Sequence, residues 1–443
     1  MNAKEQLIRE IISFLNDNAE YAVLRNYEQL PQGNDARDID IIISRKQFIS
    51  IRNRIVALID ALGWSILTYL DSDRLITFVC ARISDDDGHT DLVQWDFFFD
   101  TSVWGIQLMS AEEFLADKAF NGFLWHSGDA SKFLDKYLYD RAVGAQYPER
   151  YKSVRQRAEY LPSVCGKLHS VFRCNDAVAC DKASRSSLML RAFSHNLSHR
   201  PFSLMVNMTR WGWTYMRNYI GAGTGFAIGF TGPDGAGKTT VIDLVIDRLG
   251  DVFRKAHSYY HFRPALFGNL GDVAQKAGVK KEVDRDYSNP HRGGRTSALN
   301  SLMRLSYYTV DYILGYWARV KSQTRITRLV IFDRYFSDII CDSRRSRIYL
   351  PYGFLNKWRK FFIPKLRYNI LLTASTDTIL ARKEELSRHD IEAINDRIDL
   401  LTNQRGYLKV VNDSTPDKAV NIILRHIFAE QHKINLHRLH FKK

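Results

Sequence analysis

The run Gly232-Pro233-Asp234-Gly235-Ala236-Gly237-Lys238-Thr239 follows the pattern GxxxxGK[ST], an arrangement suited to gripping phosphate. Glycines let the backbone wrap an anion at close range. Amide groups and a helix N-terminus then face it. Lys238 is placed to reach the β- and γ-phosphates of ATP. The Thr239 hydroxyl, followed by Thr240, is placed to hold Mg²⁺. Asp234 lies inside the loop, where its charge repels a triphosphate unless the carboxylate turns toward a second substrate. Further on, LVIFDRYFSD (Leu329–Asp338) is an apolar run that ends in Asp333 and Arg334. On the same sheet as the glycine loop, such a strand brings Asp333 to Mg²⁺ and the reacting phosphates. Arg334 beside it offers a bidentate fork for phosphate. These residues in this order point to ATP-dependent phosphoryl transfer.

A separate set of carboxylates lies near the N-terminus. Asp38 and Asp40 stand two apart in DIDIIIS and share one face of a strand. Asp96, in LVQWDFFF, can complete a cluster of three. Such a cluster can hold a divalent cation for nucleotidyl transfer. It also reads as an acidic strand edge that opposes aggregation, or as part of a domain kept to bind an acceptor. Asp85–Asp87 reads as a solvated turn. The histidines have no metal-ligand spacing and receive no role.

The elements that must position these residues follow from periodicity. An amphipathic helix opens the chain, and strands are expected at Tyr21–Asn26, Asp38–Ser44, Trp64–Leu70, Arg74–Cys80 and Asp91–Phe99, with a helix over Arg45–Leu62. From Ala111 to about Ile220 the pattern is helical and basic. Within it, HRPFSLMVNMTRWGW (His199–Trp213) suits an interfacial membrane helix or an arm packed between domains. From Thr224 strands alternate with helices. Strands are expected at Phe226–Thr231, His257–His261, Arg328–Asp333, Tyr368–Thr373 and Leu408–Asn412. Helices are expected at Lys238–Leu249, Ser297–Lys321, Thr376–Leu386, Asp390–Gln404 and from Pro416. The alternation implies a doubly wound, largely parallel α/β sheet. The implied layout is an α/β domain over residues 1–110, a helical connector over 111–222, a phosphate-loop domain over 223–430 and a basic tail over 431–443.

The chain of 443 residues is long enough for two or three domains, and its formal net charge of +14 favours anionic partners. Nucleotides, phosphorylated glycans and an anionic membrane surface fit that charge. Nucleic acid is disfavoured, because no RNA- or DNA-binding motif accompanies it. Cys80, Cys165, Cys174, Cys180 and Cys341 show no zinc or redox spacing. Reduced thiols in a cytoplasmic protein, with the inner face of a membrane as an option, are the expectation. No signal peptide or membrane span is read from the sequence.

The segment FTGPDGAGKTT followed by FDRY resembles the thymidylate kinase family of P-loop kinases, over about Phe226–Ile427. The resemblance implies a P-loop NTPase parallel sheet, ATP and Mg²⁺ as cosubstrate and metal, and a homodimer as one option. It implies Asp234 on the acceptor side, with Asp333 and Arg334 joining metal, acceptor and donor. Arg263, in HFRP, resembles the family's acceptor-phosphate arginine, and Arg382 and Arg388, in ARKEELSRHD, fall where it has a basic lid. The chain departs from the pattern at several points. The serine expected four residues after the family's arginine falls at Asp338, with Ser337 one place earlier. Ala265 follows Pro264 where the family has glycine. An insert spans Phe267–Thr296, and Arg344, Arg345 and Arg347 cluster after the DRY element. The acceptor is dTMP or a related phosphate in one reading. It is a sugar or glycan in another, since the chain also resembles larger thymidylate kinase-like proteins of surface-polysaccharide gene neighbourhoods. A nucleotide-sensing regulatory module is a further alternative. Residues Tyr21–Asp100 resemble the nucleotidyltransferase fold, but Leu24-Arg25-Asn26 and Gly33-Asn34 stand where that family has a Gly-Ser element.

Overall fold

The computed structural model describes residues 2–32, 38–84, 89–145, 185–220, 223–267, 297–383 and 385–440. Most of the insert after Arg263, the Gly33-Asn34 pair, the Asp85–Asp87 run, and Cys165, Cys174 and Cys180 lie outside these. Chain contacts divide the molecule into two units. One comprises Met1–Arg82, Asp91–Ile220 and Gln431–Lys443, the other Ile83–Thr90 and Gly221–Glu430. The fold is mixed α/β, with one mixed and one parallel sheet.

The first unit opens with α1 (Ala3–Asn18), capped by Asn2, whose side-chain oxygen accepts from the Glu5 amide at 2.7 Å. Leu7, Ile8, Ile11, Ile12 and Leu15 recur at helical spacing and turn into the core. The elements that follow are β1 (Tyr21–Val23), β2 (Asp38–Ile43), α2 (Arg45–Ala61), β3 (Ser65–Asp71), β4 (Leu75–Ile83), β5 (Thr90–Phe98), β6 (Asp100–Val103), β7 (Ile106–Ser110), α3 (Ala111–Leu115), β8 (Ala119–Phe120), β9 (Trp125–His126), α4 (Asp129–Val143), α5 (Arg185–His199) and α6 (Pro201–Ile220). The main sheet runs β3-β4-β5-β2-β1-β9-β8, and β6 and β7 form a separate hairpin. Parallel pairing of β2 with β5 sets Asp40 directly opposite Asp96. β3 is an edge strand, and its Ile66 is finished by side chains from the end of the chain. The Ile66 amide donates to His432 Nδ1 at 3.0 Å, and its carbonyl accepts from Asn435 Nδ2 at 2.8 Å. Leu439 is buried in the same core. The stretch that composition reads as a basic tail is therefore structural here.

The second unit is built on β10 (Phe226–Thr231), α7 (Lys238–Gly250), β11 (His257–His261), α8 (Ala298–Gly315), a π-helical continuation at Tyr316–Lys321, α9 (Ser322–Arg325), β12 (Leu329–Asp333), α10 (Phe336–Cys341), α11 (Ser343–Ser346), α12 (Tyr352–Phe362), β13 (Tyr368–Thr373), α13 (Thr376–Arg382), α14 (Arg388–Thr402), β14 (Tyr407–Val411) and, up to Glu430, α15 (Pro416–His440). Its sheet runs β11-β12-β10-β13-β14, every pair parallel. Every residue of FAIGFT and LVIFD is buried, as strands covered on both faces by helices require. The chain leaves β10 toward β11 and β12 on one side and toward β13 and β14 on the other. Loops at the carboxyl ends of β10 and β12 thus meet in the crevice where open α/β sheets bind ligands. α13 ends at Arg382 rather than at Leu386, because Lys383 is extended (φ −160°).

Candidate active site

The glycine loop joins β10 to α7. Gly235 and Gly237 adopt φ of 87° and 83°, values that side-chain-bearing residues rarely tolerate. A Cβ on Gly232 would lie 2.0 Å from the Leu372 carbonyl oxygen, so the loop needs glycine there as well. Gly237 precedes α7 and no side chain caps that helix. Its first-turn amides, and the exposed Thr239 and Thr240, are left for a ligand.

Lys238 is buried, and Nζ donates to the carbonyls of Gly232 at 2.9 Å and Pro233 at 2.7 Å. Burial, then the neighbouring Arg334, lower its pKa to about 7, against the pull of Asp234, Asp338 and Asp333. A neutral amine still has the two hydrogens these bonds use. The residues fit a polyphosphate, because a glycine cradle, a free helix start and a buried lysine whose ion pair with Asp234, at 3.8 Å, is a long one are what an anion would complete.

Asp333 ends β12 next to β10. Its Oδ2 accepts from Tyr259 Oη at 2.9 Å, and His261 Nδ1 lies 3.3 Å from the same oxygen. Oδ1 is buried without a hydrogen-bond partner, which leaves one carboxylate oxygen for a metal ion. Burial alone would raise its pKa. The hydrogen bonds of His261 and Tyr259 and the charge of Arg334 outweigh that and hold Asp333 down at about 2. It is ionised throughout the physiological range. Burial and the Asp333 charge push the Tyr259 phenol up, so it stays a donor.

Arg334 takes φ 76°, a left-handed conformation that a non-glycine residue adopts at a cost of about 1–3 kcal/mol. The turn aims its buried guanidinium back under the loop. Nη1 donates to Asp338 Oδ1 at 2.8 Å and to the Gly232 carbonyl at 3.3 Å, and Nη2 to Asp234 Oδ1 at 2.5 Å. Burial opposes its charge, but Asp338, Asp234 and Asp333 raise its pKa. Arg345 binds the other Asp234 oxygen and lies 3.3 Å from Asp342 Oδ2 and 3.9 Å from Asp338 Oδ2. Asp234 is thus held between two guanidinium groups, which neutralises the carboxylate that would otherwise repel a phosphate.

Lys238, Asp333, Arg334 and the loop Gly232–Thr240 therefore come together. Arg382 lies beside them, because Nη1 donates to the Asn412 carbonyl at 3.0 Å while Asn412 Nδ2 donates to Ala236 of the loop at 2.9 Å. Arg388 is exposed and paired with Asp377 at 2.5 Å. Arg263 is committed elsewhere: Nη1 reaches the fully buried Asp311 at 2.6 Å, and the guanidinium stacks 4.7 Å from the Tyr308 ring centre. Tyr259, Asn412 and Asp338 received no role from the sequence, and His261 was set aside for lack of metal spacing. The readable signal was the alternation of HSYYH, which puts Tyr259 and His261 on one face of β11. That strand pairs with β12 so that His261 sits opposite Asp333. Arg344 pairs with Asp390 at 2.9 Å beside a cavity of about 560 Å³, which Asp342, Ser343, Tyr349, His389 and Arg397 also line.

In the first unit, one oxygen from each of Asp38, Asp40 and Asp96 lies within 4.8 Å of the others. Asp96 accepts from Thr77 Oγ1 at 2.5 Å and Gln94 Nε2 at 2.9 Å. Asp40 is buried and neither of its oxygens accepts a well-formed hydrogen bond, although Arg25 Nε sits 2.6 Å from Oδ2. Burial pushes its pKa up to about 7, Arg25 opposing and Asp38 and Asp96 reinforcing the rise. An all-carboxylate donor set with an under-bonded member fits a hard divalent cation. Arg25 was passed over in the sequence, where it marked only a missing motif.

No protein-family model matches the chain, and no curated relative does. Among solved structures, a thymidylate kinase from Ehrlichia chaffeensis is similar over 46% of this chain and 98% of its own, at 14% identity and a TM-score of 0.30. At that score the likeness adds nothing to the site, whose reading rests on its own residues.

Proposed function

We propose that the second unit is a kinase that transfers the γ-phosphoryl group of ATP to an acceptor, with Mg²⁺. The acceptor is dTMP or another nucleoside monophosphate in one form of the proposal, and a sugar or glycan in the other. One observation carries it: the glycine loop, Lys238, Asp333 and Arg334 converge at the carboxyl ends of adjacent parallel strands. In this reading the loop amides and Lys238 hold the β- and γ-phosphates, while Thr239 and Asp333 hold Mg²⁺, which neutralises charge on the transferred group. Arg334 and Arg345 fix Asp234 and present positive charge on the acceptor side. The polar cavity beside Arg344 and Arg397 suits a hydroxyl-rich acceptor.

The lysine makes ATP binding pH-dependent. Near 7 without ligand, its pKa rises once phosphate oxygens surround it, so binding takes up a proton. Affinity is expected to be highest below pH 7 and to fall by up to about tenfold per unit as pH rises above it, until the bound lysine itself titrates. Calorimetry in buffers of different ionisation enthalpy measures the uptake, and Lys238→Met should remove it. Equal uptake in that variant would assign the proton to another group.

The kinase reading is tested by Mg²⁺-dependent ADP release with dTMP, phosphosugars and glycan acceptors in parallel. Stimulation by one class identifies the acceptor. Tight ATP binding without stimulation by any acceptor would favour a nucleotide sensor.

The carboxylate cluster supports a second activity, nucleotidyl transfer in the first unit, with Asp38, Asp40 and Asp96 as metal ligands. It requires metal-dependent incorporation of labelled nucleoside monophosphate that survives Lys238→Ala and is lost in Asp40→Asn. Incorporation unchanged in Asp40→Asn would end that reading.

A further inference from the structure

Helix α6 has a clear division of sides. Leu204 and Thr214 face inward and are buried. Backbone contact is close on that side, since a Cβ on Gly105 would lie 2.6 Å from the Met208 Cα. Near the far end, Arg217 Nη2 donates to the Asp71 carbonyl at 2.7 Å. The opposite side carries Phe202, Met205, Trp213, Met216 and Ile220, with Thr209 filling the gap in the line. Their spacing of three or four residues, counted through Thr209, stacks them along one stripe. They are 73%, 59%, 60%, 45% and 71% exposed. The helix is already anchored through its other face, so the stripe is not needed for the unit's own core. Exposed apolar surface of this continuity marks an interaction site.

Charge decides the partner. Arg185–Ile220 contains Arg185, Arg191, Arg200, Arg210 and Arg217 and not one Asp or Glu. A second copy seated on the stripe would bring two arginine-bearing helices without acidic residues of their own against each other, a like-charge juxtaposition that disfavours the pairing. An anionic bilayer presents the complementary charge and an acyl boundary for the apolar side chains. Among the described residues no helix is long and apolar enough to cross a membrane. The stripe would therefore lie in the plane of the surface. We propose that α6 seats this protein on an anionic membrane surface, with Phe202, Met205, Trp213, Met216 and Ile220 entering the acyl boundary and Arg210, on the flank of the stripe, reaching the headgroup phosphates.

The test is flotation of the full chain with vesicles of phosphatidylcholine and phosphatidylglycerol, against vesicles of phosphatidylcholine alone. The wild type should float with the mixed vesicles and partition about tenfold or more weakly with the neutral ones or in high salt. Phe202→Ser with Trp213→Ser should weaken binding by about tenfold or more. Both side chains are exposed, so thermal melting should be unchanged. Arg210→Gln should weaken binding to the mixed vesicles only. The proposal is overturned by a wild type that stays in the soluble fraction, by equal flotation with both vesicle types, or by full binding by the serine variant. A solution dimer dissociated by the serine variant would also overturn it and assign the stripe to a second copy.

Discussion

Lys238→Ala is expected to lower γ-phosphoryl transfer by about 10²–10³-fold, the usual scale for removing one preorganised charge from a transition state. The fold should survive. The loop is shaped by Gly232, Gly235 and Gly237 and is also held by Asn412 and Arg334, which bond to the Ala236 and Gly232 carbonyls without the lysine. The variant leaves the carbonyls of Gly232 and Pro233 short of a donor, a loss of about 1 kcal/mol per bond. Removing a lysine that burial already drives toward neutrality offsets part of it. Stopped or quenched assays beside a thermal melt separate the two effects. Wild-type turnover in a folded variant would remove the lysine from the chemistry.

The largest stability effect is expected at Asp311. Its carboxylate is fully buried, pairs with Arg263 and accepts from the Phe267 amide at 2.9 Å. Asp311→Ala strands a buried guanidinium and should cost about 3–5 kcal/mol. For a unit of this size that lowers the melting midpoint by about 10 °C. Arg263→Met combined with Asp311→Leu should recover most of the loss, since apolar pairs of similar volume often replace buried ion pairs without penalty. The same double variant decides what Arg263 does. Retained phosphoryl transfer makes the arginine structural. Recovered stability with lost transfer returns it to the acceptor-phosphate role that HFRP suggested.

These residues also mark what could be read in the sequence. FAIGFT and LVIFD are continuous apolar runs, and the structure makes both of them central parallel strands. The glycine loop was legible because its chemistry is local, compressed between one strand and one helix. Asp333 was legible as the residue where an apolar run meets charge. What binds Asp333 was not, because Tyr259 and His261 come from a strand more than seventy residues away in sequence. The same holds for Arg345 and Asp234, 111 residues apart: each looks like surface charge until the sheet brings them together. Asn412 follows the last strand, with nothing local to tie it to the loop. The hairpin of β6 and β7 and the two-residue strands β8 and β9 carry too few residues for a period to show. Nor could composition show that His432, Asn435 and Leu439 complete the first unit, since a lysine-rich ending reads as solvated whatever it packs against.

The central claim is that this chain moves the terminal phosphoryl group of ATP. The measurement that tests it most directly follows two labels, ATP carrying ³²P at the γ position and ATP carrying it at the α position, offered with Mg²⁺ and the acceptor panel. The account predicts γ label on the acceptor, lost in Lys238→Ala, and no transfer of the α label by that same site. Transfer of the α label alone, unaffected by Lys238→Ala and abolished by Asp40→Asn, would contradict it and assign the chemistry to the carboxylate cluster of the first unit.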